Sequence, residues 1–154
     1  MRVAKSLGFT FVDTDQLIVE KAGKPIPKIF EEDGEPVFRK IETDVLRESL
    51  TQENQVISTG GGIVTNEENR KMLKEAGYTI WLQAGPDTIY DRVSRNKNRP
   101  LLQTEDPKAT ILQMLADRNQ SYCDSMDLAI KTDELTLEET CYGVTESARI
   151  ALCI

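Results

Sequence analysis

The sequence predicts an α/β fold: a parallel sheet with helices on both faces, in three layers. Short apolar runs alternate with helical patterns along the whole chain, and such alternation favours βαβ units over hairpins. The first two runs also stop at chemically distinctive residues, Asp13-Thr14-Asp15 and Gly60-Gly61-Gly62. In parallel sheets, ligands bind just beyond the carboxyl ends of the strands.

The elements follow in order. Residues 9–12 (FTFV) form the first strand. Val37, Ile41, Val45 and Leu46 then recur at helical spacing, as one face of a helix requires. Residues 55–59 (QVIST) are the second strand. Met72, Leu73 and Ala76 mark a helix that Gly77 closes as its C-terminal cap. Residues 78–82 (YTIWL) are the third strand, and 127–131 (DLAIK) a weaker fourth. Pro86 and Pro107 stand where first-turn prolines belong, with Asp106 as an N-cap. Thr136, followed three residues later by Glu139, opens the last helix with a capping box.

At 154 residues, 39% hydrophobic and 29% charged, the chain reads as one globular domain, 1–154. A net charge of -7 argues against nucleic acid or an anionic membrane as the main partner. No apolar run approaches the ~18 residues of a membrane span, and no signal-peptide pattern opens the chain. Three scattered cysteines, Cys123, Cys141 and Cys153, fit a reducing cytoplasm. Cys141 and Cys153 read as packing residues of the last helix. There is no histidine, which excludes Ser-His-Asp and Cys-His catalysis and His-ligated zinc. Chemistry must rest on carboxylates, arginines, lysines, hydroxyls and backbone amides.

Asp13 and Asp15 stand at a strand end. One could hold a hydrated Mg²⁺, and the other could take a proton or hydrogen bond from a substrate hydroxyl. The plain alternative is a helix N-cap, with Asp15 opening a helical run. Gly60, Gly61 and Gly62 let a ligand approach the main chain, or merely turn it. Arg39 lies on an amphipathic helix, where by itself it reads as a solvated partner of a carboxylate one turn away. Asn98-Arg99-Pro100-Leu101-Leu102 is a polar connection that could act as a lid, or an ordinary loop. Arg118 sits one turn before Tyr122 on a helix and alone would be a surface residue.

Taken together, FVDTD, GKPIPKIF, GEPVFRKIE, STGGGIV, NRPLL and DRNQSY resemble the shikimate kinase family in order and spacing, from about residue 4 to about residue 131. The resemblance implies transfer of the ATP γ-phosphate to the 3-hydroxyl of shikimate, with Mg²⁺, in aromatic amino-acid synthesis by way of chorismate. It implies the P-loop nucleoside-monophosphate-kinase fold, with five parallel strands in the order 2-3-1-4-5 and a lid, here about 96–106. Carried onto this sequence, it makes Asp13 a support for Mg²⁺ through water. Asp15 would bind the shikimate hydroxyls and act as base. Arg39 and Arg118 would clamp the carboxylate, with Glu42 orienting Arg39. Gly60, Gly61 and Gly62 would line substrate and γ-phosphate. Arg99 would be the lid arginine and Arg92 would stack on adenine. Ile26, Phe30 and Phe38 would form the apolar wall. Arginine forks match a carboxylate, and phosphoryl transfer needs no histidine.

The family pattern also has a strand, a G-x-x-x-x-G-K-[ST] loop and a helix before FVDTD. In this sequence residues 1–8 resemble only the end of that helix and its glycine cap. The only Gly-Lys pair, Gly23-Lys24, precedes a proline. The expectation is therefore a sheet lacking its central first strand, and weak kinase activity. The sheet would be split, or closed by direct pairing of 55–59 with 78–82, or filled by another molecule, since open edges invite association. A kinase-like protein that binds shikimate without transferring phosphate is the alternative function. A gluconate or nucleotide kinase is disfavoured by the triple glycine together with FRKIE and NRPLL.

Overall fold

In the computed structural model of this chain, the described residues are 1–94, 102 and 104–154. They begin with a short helix, α1 (Arg2–Leu7), whose C-cap Gly8 is left-handed at φ 72°. Phe9 donates its N–H to the Ala4 carbonyl at 2.9 Å. That bond belongs to the helix end, so strand β1 starts one residue later than its apolar run and covers Thr10–Asp13.

Helices α2 (Thr14–Ala22), α3 (Ile26–Glu32) and α4 (Glu35–Ser49) follow. Strand β2 (Gln55–Ser58) leads through the glycines into a single 3₁₀ turn, Ile63–Thr65, and then α5 (Glu67–Ala76). Strand β3 is Ile80–Gln83. Helices α6 (Pro86–Val93) and α7 (Pro107–Ser125) both open on the expected prolines. The Asp106 side chain caps α7 by accepting from the Ala109 N–H. Strand β4 (Leu128–Lys131) and helix α8 (Leu137–Leu152) complete the order, and the Thr136–Glu139 capping box is present in both directions.

Among the described residues the strands form two parallel pairs. Thr10 to Asp13 run beside Gln55 to Ser58, and Ile80 to Gln83 beside Leu128 to Lys131. β2 and β3 belong to different sheets. Of the three arrangements expected, the described residues adopt the split one. A doubly covered parallel sheet buries its strands, yet every strand residue here is half-buried or exposed.

The core sits among the helices instead. Ile18, Ile29, Phe38 and Val45 bring α2, α3 and α4 together. Leu46 joins Ile63 and Val64 in a second cluster, against which Met72, Leu73 and Tyr122 pack. On α4 the core stripe differs from expectation at one position. Val37 is exposed at 42%, and its neighbour Phe38 is buried. Buried Thr14 donates its hydroxyl to the Ser58 carbonyl at 3.3 Å, tying the end of β1 to the end of β2. No described helix is long and apolar enough to cross a membrane.

Candidate active site

A cavity of about 280 Å³ opens beyond the ends of β1 and β2. Asp15 reaches it from the start of α2, Arg39 and Glu42 from α4, Gly60, Gly61 and Gly62 from the turn after β2, and Arg118 from α7. Ile26, Phe30 and Phe38 line it as well. Positions separated by more than a hundred residues thus meet at one site, where each taken alone reads as surface or turn.

The α4 pair is the electrostatic centre. Arg39 Nη1 donates to Glu42 Oε2 at 2.9 Å, while its Nε and Nη2 donate to Glu35 Oε1 at 3.1 and 2.9 Å. Arg39 does pair with a carboxylate one turn back, and it also grips a buried one. Those bonds use three of the five guanidinium N–H groups. Glu42 is only 2% exposed. Burial pushes its carboxyl above the ordinary glutamate value, and Asp15 adds to that rise. The hydrogen bond and charge of Arg39, and more weakly the charge of Arg118, oppose it.

The glycine turn is held from several sides. A Cβ on Gly60 would stand 3.3 Å from Asp15 Oδ1 and 3.7 Å from Glu42 Oε1. Buried Asn69 donates to the Ile63 carbonyl, and Arg70 to the Val64 carbonyl. Tyr122 donates its hydroxyl to the Gly61 carbonyl at 2.6 Å.

Two expected residues lie apart from the cavity lining. Asp13 is the N-cap of α2: its Oδ1 accepts from the Asp15 N–H at 3.0 Å. The helix therefore opens at Thr14 with Asp13 as cap, rather than opening at Asp15, because the Asp13 carboxylate reaches the orphan N–H two residues on. Arg92, near the end of α6, donates from Nη1 to the Thr132 hydroxyl and from Nη2 to the Thr132 carbonyl, at 2.8 and 2.9 Å. Arg99 and most of the expected lid lie outside the described residues. Cys153 is not a packing residue of α8. It is exposed and forms the C-cap, with φ 55°.

Sequence reasoning missed the far wall: Ile89, Val93, Leu102, Ile111, Met114, Leu115 and Tyr122. The signal was present in part. Ile111, Met114, Leu115, Arg118 and Tyr122 share one helical face by spacing.

A family model described as shikimate kinase matches residues 1–149. This chain belongs to the shikimate kinase family. It is 39% identical over 135 residues to the shikimate kinase of Xylella fastidiosa, covering 88% of this chain and 75% of that one. It is 42% identical over 137 residues to that of Thermodesulfovibrio yellowstonii, covering 89% and 79%. The shikimate kinase from Acinetobacter baumannii, solved in complex with shikimate, superposes with a TM-score of 0.92 at 34% identity, covering 99% of this chain and 83% of that one. Membership makes this chain a kinase, an enzyme of phosphoryl transfer, and gives it the fold class read from its sequence.

Proposed function

We propose that the cavity binds shikimate and that the acceptor is its 3-hydroxyl, phosphorylated by ATP in the cytoplasm on the route to chorismate. The observation that carries this reading is the convergence of Asp15, Arg39, Arg118 and the triple glycine on one cavity with an apolar wall. The ligand is a small hydroxyl-rich carboxylate. Arg39 and Arg118 meet its carboxylate as planar forks. Glu42 fixes the Arg39 fork in place. Asp15 takes hydrogen bonds from the ring hydroxyls and accepts the proton that leaves as the acceptor oxygen attacks phosphorus.

Asp13 is the residue that would hold Mg²⁺, with the oxygen that the cap of α2 leaves over. Asp13 offers a carboxylate at a strand end, and Mg²⁺ is commonly held by one or two carboxylates with water and phosphate oxygens. No cluster of three or more acidic or thiol ligands occurs among the described residues. When bound, the ion neutralises charge on the β- and γ-phosphates. Arg92 is assigned to the adenine and Arg99 to the transferring phosphate.

The 154 residues contain no G-x-x-x-x-G-K-[ST] run. We read the residues gathered in the cavity as the acceptor side of the reaction carried by this polypeptide. Assayed by itself with shikimate and Mg-ATP, it should release ADP more slowly than the ~1 s⁻¹ at the lower end for kinases. Faster turnover in a coupled ADP assay would refute that part.

A further inference from the structure

Tyr122 ties the glycine turn to the only tryptophan in the chain. Its hydroxyl donates to the Gly61 carbonyl at 2.6 Å, and its ring stacks on Trp81 with centroids 4.7 Å apart and planes 17° from parallel. A Cβ on Gly61 would stand 3.0 Å from that hydroxyl, close enough that the contact would have to give by a few tenths of an ångström. The same ring packs against the cluster of Leu46, Ile63 and Val64, which fixes its position from below.

The peptide unit turns this contact into an aiming device. The Gly61–Gly62 bond is trans, as are all peptide bonds described. In a planar trans peptide, C=O and N–H point in opposite directions. Holding the Gly61 carbonyl toward α7 therefore points the Gly62 N–H away from α7. Consecutive glycines carry no Cβ to select among peptide orientations, so the choice falls to the hydrogen bond.

We propose that Tyr122 is a positioning residue. It fixes the orientation of the Gly61–Gly62 peptide at the cavity, and with it the direction in which the Gly62 amide is offered to a ligand oxygen, and it anchors that orientation on Trp81. The proposal rests on the shikimate reading above for the identity of the ligand, but not for the orientation of the amide.

The experiment compares the 154-residue chain with its Tyr122→Phe variant, which keeps the ring and its stack while removing the hydroxyl. Three readouts are taken: the melting temperature, the ¹H–¹⁵N signal of Gly62, and shikimate affinity by calorimetry. The expected result is a shifted or broadened Gly62 signal and an affinity lower by about tenfold, the worth of one hydrogen bond. Trp81 emission and melting temperature should change little. Gly61→Ala should displace the Gly62 signal too, and less so in the Tyr122→Phe background, where the crowding hydroxyl is gone. An unchanged Gly62 signal in Tyr122→Phe would overturn the proposal, as would an affinity loss that merely follows a fall in melting temperature. If the unsubstituted chain binds no shikimate while Tyr122→Phe still moves the Gly62 signal, the ligand assignment fails and the aiming role stands.

Discussion

The Arg39 guanidinium occupies the space that a side chain on Gly62 would need: a Cβ there would stand 2.5 Å from Nη1 and 2.9 Å from Nη2. Gly62 has φ -81°, which any residue tolerates. The glycine is thus required by this close approach and not by backbone conformation.

Gly62→Ala separates function from folding. The crowded atoms are the far end of a long side chain, which can shift within its hydrogen bonds to Glu35 and Glu42 without breaking them. The variant should melt close to the parent temperature. It should lose shikimate affinity by up to about 1.5–3 kcal/mol, the worth of a hydrogen bond to a charged group. Thermal melts and calorimetry on the same preparation check this. A large fall in melting temperature would show that Arg39 is locked in place.

Arg118→Ala should weaken shikimate binding by about 1.5–3 kcal/mol, roughly 10- to 150-fold. Arg118 lines the cavity opposite α4, and its charge is felt at Glu42. Unchanged affinity would return it to an ordinary surface role.

Glu42 gives a pH signature. Its carboxyl is raised from the ordinary 4.5, chiefly by burial. Below 4.5 both folded and unfolded chains carry the proton. Between that value and the raised folded one, only the unfolded chain ionises. Stability from this group is therefore complete at low pH and is lost as pH rises through the folded value. Gln cannot ionise, so Glu42→Gln escapes the loss. Urea unfolding at a series of pH values should show the variant gaining on the parent from about pH 4 upward. A flat difference would mean that Arg39 fully offsets the burial.

Much of this fold was legible because its signals are local. The capping box at Thr136, the cap at Asp106 and the prolines at 86 and 107 act within one turn. The strands fell within two residues of expectation. The misses arose where one element takes a group from another, as when α1 claims the Phe9 N–H and shortens β1. The helix signal of α3 is masked in the sequence, because the prolines at 25 and 27 look like breakers although both sit at its opening.

The site was legible by a different route. Asp15, Arg39, the glycines and Arg118 stood out as an ordered set resembling a family, and the cavity brings those residues together. Spacing alone could not show that α6 and α7 close the far wall with Ile89, Val93, Ile111 and Met114. Nor could it show that Tyr122 reaches back 61 positions to Gly61. Such contacts depend on how helices pack across the site.

The central claim is that this cavity recognises shikimate through its carboxylate. Calorimetric titration of the 154-residue chain with shikimate, and in parallel with shikimate methyl ester, tests it most directly. The account predicts saturable one-to-one binding of shikimate and binding of the ester weaker by about tenfold or more, since the ester lacks the charge that Arg39 and Arg118 are placed to meet. Equal affinity for acid and ester, or no binding of shikimate, would contradict it.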